Sequence, residues 1–214
     1  MIVAVEGIDG AGKHTLVTAV EERFGADTLA FPRYDDSVHA QLAQEALHGR
    51  MGDLTDSAFG MATLFALDRR GAKPLLDGYA GDPDRVLILD RYVASNAAYT
   101  SARTGDPAAV AWVHDLEFGR LGLPKPDLQV LVDTQPDVAR ERAAKREEQD
   151  KARTRDRYER DAALQAATSA AYRELADSGW AGRWVRTDDP AVIMQAVSDV
   201  ARELAGAAGA AGTE

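Results

Sequence analysis

Three almost unbroken apolar runs divide the chain: residues 2–5 (IVAV), 86–89 (VLIL) and 128–132 (LQVLV). Such runs suit strands buried on both faces of a parallel sheet. Residues 28–31 (TLAF) and 183–187 (RWVRT) are weaker strand candidates. Between them, apolar residues recur at helical spacing over 13–24, 37–48, 56–77, 107–121, 136–148 and 157–177. Punctuation supports two of these readings. Asp106 can cap a helix that has Pro107 at its first position and Gly122 as its stop, and Asp189-Pro190 opens a last helix in the same way. Strand and helix alternate, which predicts an α/β fold with a five-stranded parallel sheet flanked by helices.

Composition adjusts this picture in two places. Apolar residues make up 45% of the 214, but 40 are Ala, so the core must come from a smaller set of Val, Leu, Ile and aromatics. A single domain over 1–205 is expected, followed by a flexible Gly/Ala tail over 206–214. The net charge of −10 argues against a DNA or RNA chain as partner. A small anion remains open, because a local site can override the global sign. There is no Cys, which removes thiolate metal sites and cysteine nucleophiles. No apolar run is long enough for a membrane span, and MIVAVEG lacks the basic start of a signal peptide. A cytoplasmic protein with no membrane partner is expected.

Candidate chemistry begins at GIDGAGKHT, Gly7 to Thr15, between a predicted strand and a predicted helix. Gly7, Gly12 and Lys13 have the spacing G-x-x-x-x-G-K of a phosphate-binding loop. Gly7, Gly10 and Gly12 free the backbone to turn its N–H groups onto phosphate oxygens, with Ala11 inside the same turn. Lys13 then bears on the β- and γ-phosphates of ATP. The Ser or Thr that usually follows this Lys and holds Mg²⁺ is replaced by His14. Thr15 is next, but lies about 100° further round the helix. The fold expectation becomes the P-loop NTP hydrolase type.

Two features separate the P-loop classes. A guanine-reading Asn-Lys-x-Asp motif cannot exist, because the single Asn, Asn96, is followed by Ala97. A kinase of small anions needs instead a second phosphate site and an Arg-rich lid. The run VLIL leads into Asp90 and Arg91, an acid placed to organise Mg²⁺ and a planar cation for a substrate phosphate. Phe65 and Arg69 stand four apart on one helix face. Residues 140–160 hold nine basic and six acidic residues, a local +3, against −13 for the rest. In this setting they are a candidate lid, containing Arg142, Arg146 and Arg153.

GIDGAGKHT, FPRY, LFALDR, LDRYVASNAAY, GLPKPD and DRYERD, in this order, resemble the thymidylate kinases, particularly the mycobacterial and related actinobacterial form. The resemblance covers nearly the whole chain up to the final helix. It implies the reaction ATP + dTMP → ADP + dTDP with Mg²⁺. It also implies roles. Phe65 stacks on thymine, and Arg69 and Asn96 bond its polar edge. Arg91, helped by Tyr34, binds the dTMP phosphate, and Tyr99 crowds a ribose 2′-hydroxyl. Phe31, Pro32 and Tyr158 line the acceptor pocket. Asp9 and Glu159 join around substrate and metal, with Asp90 as a third metal candidate. Lys13, Asp9, Arg91, Arg146 and Arg153 form the expected reaction centre, and Arg142 with the loop from Gly7 to Thr15 holds ATP. A homodimer is the family expectation. The alternatives are another P-loop nucleoside or nucleotide kinase and a nucleotide-binding regulator without turnover. The four His show no metal-ligand pairing, so a protein-held zinc is not expected.

Overall fold

The strongest apolar runs become the central strands. The computed structural model describes residues 1–149 and 156–211. Its strands are β1 (Ile2–Glu6), β2 (Asp27–Ala30), β3 (Leu87–Asp90), β4 (Leu128–Leu131) and β5 (Trp184–Arg186). They form one parallel sheet in the order β2-β3-β1-β4-β5, with Val3 opposite Ile88 on one side and Leu128 on the other. β1 and β4 are wholly buried, while β2 and β5, the two weaker candidates, are the half-exposed edges. Strand order reverses at β1, which is where open α/β sheets leave a crevice for a ligand.

The helices are α1 (Lys13–Phe24), α2 (Val38–Leu47), α3 (Ala58–Gly71), α4 (Lys73–Asp77), α5 (Val93–Thr104), α6 (Ala108–His114), α7 (Pro136–Gln149), α8 (Arg157–Arg160), α9 (Ala162–Asp177) and α10 (Pro190–Ala211). Four predicted stretches turn out differently. The stretch predicted as one helix over 56–77 is a 3₁₀ turn followed by α3 and α4, with Pro74 in the first turn of α4. Pro lacks the N–H that a continuous helix would need there. Residues 107–121 form α6 and then a π-helical turn over Asp115–Arg120. Residues 157–177 break at Asp161, whose carboxylate caps α9 by accepting from Leu164 N. Helix α10 continues to Ala211, into the stretch read as tail.

No predicted helix covers the α5 segment. VASNAAYTSART is rich in Ser, Thr and Asn, which favour caps and turns over helix interiors. Burial supplies what propensity lacks: Val93 to Ala98 are all buried, and α5 packs against α3, α6 and α9. Among the described residues, no helix is long and apolar enough to cross a membrane.

Candidate nucleotide site

The loop after β1 enters α1 through Gly12, whose left-handed backbone (φ 104°) few side chains tolerate. Gly10 is required for a second reason. A Cβ there would lie 2.1 Å from the Ala139 carbonyl oxygen, so the loop and α7 meet backbone to backbone. Thr134 Oγ1 and Arg142 Nη1 donate to Ala11 O at 2.7 and 3.4 Å, so both side chains lie on the loop. Lys13 Nζ donates to Gly7 O and Ile8 O at 3.2 Å each. Burial, with Arg91 nearby, lowers its pKa to about 8 against the pull of Asp9 and Asp90. His14 and Thr15 are exposed; His14 lines the cavity.

Arg91 follows β3 in a left-handed conformation (φ 71°), held by its N–H on Val5 O at 3.0 Å. Strain of this kind concentrates at functional sites. Its Nη2 contacts Asp9 Oδ1 at 2.5 Å, and Tyr99 donates its hydroxyl to Asp9 Oδ2 at 3.1 Å. Burial alone would raise the Asp9 carboxyl, but the Arg91 and Lys13 charges outweigh it and hold it at about 2.

Beneath Arg91 lies a network that the sequence reading missed. Glu6, fully buried at the end of β1, accepts from Ser95 Oγ at 2.5 Å, Tyr92 N at 2.8 Å and the Tyr172 hydroxyl at 3.2 Å. Arg91 Nη1 reaches the Tyr172 hydroxyl at 3.3 Å and Ser95 Oγ at 3.4 Å. Burial pushes the Glu6 carboxyl up, opposed by its hydrogen bonds and by Arg91. The available signal was an acid closing a strand of otherwise apolar residues.

One cavity, of about 1180 Å³, adjoins these groups. Asp9, Gly10, Gly12, Lys13 and His14 line it, and so do Phe31, Pro32, Tyr34, Phe65, Arg69, Asn96, Tyr99, Tyr158 and Glu159. The Phe31–Pro32 peptide is cis, and Arg33 anchors this segment on α3 through two bonds of 2.9 Å to buried Asp68. Tyr99 and Tyr158 stack at 6.0 Å, with the Arg103 guanidinium 4.8 Å from the Tyr158 ring centre. Asp156 caps α8, accepting from Tyr158 N and Glu159 N, which fixes both cavity residues.

Asp9, Asp90 and Glu159 all line the cavity. Yet no three acidic or His side chains among the described residues gather into a metal-holding cluster. The residues still fit Mg²⁺, which takes one or two carboxylates plus phosphates and waters: Asp90 Oδ1 is buried with no hydrogen-bond partner among the described residues. Arg146 falls within α7, but its side chain is outside the described residues, as is the whole of Arg153.

A phosphate loop at the crevice of a parallel sheet, with a second cation and an aromatic pocket in the same cavity, defines the class: a P-loop kinase fold. Solved structures agree. The thymidylate kinase of Candida albicans superposes with a TM-score of 0.67 over 94% of this chain and 91% of its own, at 19% identity. A deoxyadenosine kinase from M. mycoides gives 0.62 over 98% and 100%, at 14% identity. Sequence narrows the class. A model of the thymidylate kinase family matches residues 5–187. The thymidylate kinase of Mycobacterium tuberculosis is 55% identical over 193 residues, 86% of this chain and 90% of its own. A probable thymidylate kinase of Archaeoglobus fulgidus is 32% identical over 68% of this chain and 70% of its own. The chain belongs to the thymidylate kinase family.

Proposed function

We propose that this chain transfers the γ-phosphoryl group of MgATP to dTMP, giving dTDP and ADP for cytoplasmic dTTP synthesis, and that it works as a homodimer. One observation carries the reading: the phosphate loop and the set Phe65, Arg69 and Asn96 line the same cavity. Membership of the family supports the same acceptor.

The loop from Gly7 to Thr15, with Arg142, holds ATP, and Lys13 draws on its β- and γ-phosphates. Phe65 stacks on thymine while Arg69 and Asn96 take its polar edge. Phe31, Tyr34, Tyr99, Tyr158 and Glu159 complete the acceptor pocket. The dTMP phosphate displaces Asp9 from Arg91, because a dianion competes well for a guanidinium held by one carboxylate oxygen. Asp9 is then free to turn towards sugar or metal, with Asp90 and Glu159 as further ligands. These carboxylates would hold Mg²⁺, which would supply positive charge to offset that of the phosphates. The attacking phosphate oxygen is already anionic, so the protein supplies position and charge rather than a strong base. Arg146 and Arg153, on a lid over 140–160, close onto the transferring group and exclude water.

A coupled ADP-release assay with ATP and a panel of nucleoside monophosphates tests the reading. Turnover with dTMP as the best acceptor is expected. Preference for dCMP would make the chain a different nucleotide kinase, and tight ATP binding without turnover would make it a regulator.

A further inference from the structure

Glu117 lies on the π-helical turn after α6, fully buried, and has no part in the roles above. Its Oε2 accepts from Arg69 Nε at 2.5 Å and its Oε1 from Arg69 Nη2 at 2.7 Å. The same Oε1 accepts from Asn96 Nδ2 at 2.7 Å. Asn96 Nδ2 also donates to Ala62 O at 3.0 Å. An amide nitrogen carries two hydrogens, so both are spent on fixed acceptors. Turned over, the amide would aim its oxygen at a carboxylate and a carbonyl with no hydrogen between them. Chemistry therefore fixes its orientation.

The consequence falls on the cavity that Arg69 and Asn96 line. Asn96 has only an acceptor left to offer, its Oδ1. Arg69 can offer only donors, and its Nη1 makes no hydrogen bond among the described residues. The matching base edge carries a carbonyl oxygen beside a ring N–H. Among the pyrimidines that is the imide edge of thymine or uracil. Cytosine presents an amino donor beside an unprotonated ring nitrogen and meets like poles at both positions.

We infer that Glu117 is a specificity-determining positioning residue, whose carboxylate sets the donor and acceptor poles of Arg69 and Asn96 so that they select an imide base edge. This rests on the acceptor reading above. The role demands a carboxylate. Three N–H groups converge on two acceptor oxygens, and a neutral amide has only one.

The variant Glu117→Gln tests it. With one acceptor oxygen in place of two, Gln cannot hold both Arg69 and Asn96, so their poles are no longer fixed together. The ratio of kcat/KM for dTMP to that for dCMP is expected to fall about tenfold or more. The loss should enter through the KM for dTMP, while the KM for ATP stays within about twofold. An unchanged ratio overturns the inference, and so does an equal loss for both acceptors, which is what a merely structural residue would give. A second measurement needs no variant. Asn96 is the only Asn in the sequence, so nitrogen-labelled asparagine gives a single side-chain NH₂ signal in NMR. Both hydrogens should exchange slowly in the nucleotide-free protein; exchange as fast as a free amide overturns the inference even if the variant does not fold. Should wild-type protein fail to use dTMP, the acceptor reading falls, and the labelled amide still judges the lock separately.

Discussion

The cavity holds two ion-paired arginines, and they are built differently. Arg69 is gripped through two nitrogens by Glu117, with side chains 4% and 0% exposed. Arg91 touches Asp9 through one nitrogen, with side chains 15% and 22% exposed, on a backbone few non-glycine residues adopt. The first pair is closed and almost wholly buried. Removing one partner strands a buried charge, so Arg69 is a fixed wall. The second pair is open to exchange. On the proposed reading its carboxylate stands where an acceptor phosphate would, and the neighbouring Lys13 leans on the loop carbonyls. One end of the site thus reads shape and polarity with rigid groups, and the other keeps cations parked for a ligand that brings its own charge.

Stability should separate the two most strongly. Arg69→Ala leaves Glu117 buried and uncompensated, at an expected cost of about 3–5 kcal/mol in urea unfolding. Arg91→Ala leaves Asp9 partly reachable by water but also removes the contacts to Tyr172 and Ser95, and should cost less, about 1–2 kcal/mol. Equal losses would break the distinction. Activity should reverse the order. Lys13→Ala and Arg91→Ala should each lower kcat by about 10²–10³ while the fold persists, as seen by circular dichroism.

Acidity gives a smaller, graded test of the exchangeable end. ATP brings anions to Lys13 and raises its pKa from about 8 in the free protein. A group whose pKa rises on binding favours the complex below its free value. ATP affinity should therefore be full below about pH 8 and weaken towards tenfold per pH unit above it, measured by calorimetry. Affinity that holds constant from pH 7 to 9.5 would leave Lys13 out of the contact. The mildest test is Tyr99→Phe. It removes the hydroxyl on Asp9 but keeps the ring, so kcat/KM for dTMP should change about fivefold or less. The preference for deoxyribose should persist.

The sequence disclosed the exchangeable end better than the fixed one. Spacing alone places Gly7, Gly12 and Lys13, and an acid and a cation after a buried strand mark Asp90 and Arg91. The sheet followed from its apolar runs, and the weakest runs became its edges. Glu6 and Glu117 stayed hidden because their partners are distant in sequence. Ser95 reaches Glu6 across 89 positions, and Arg69 reaches Glu117 across 48. A trace of Glu117 was present: Ala109, Val113 and Glu117 recur at four-residue spacing on one buried face. An acid on an apolar stripe asks for a buried partner. Helix α5 lay outside the predicted helices because its Ser, Thr and Asn favour turns, while tertiary burial stabilises it.

The most direct test of the account is the product of one reaction. ATP and dTMP, incubated with the protein and Mg²⁺ and followed by phosphorus NMR, should give dTDP and ADP in equal amounts, with dCMP turned over far more slowly. Formation of dCDP in preference to dTDP, or ATP bound with neither product formed, would contradict it.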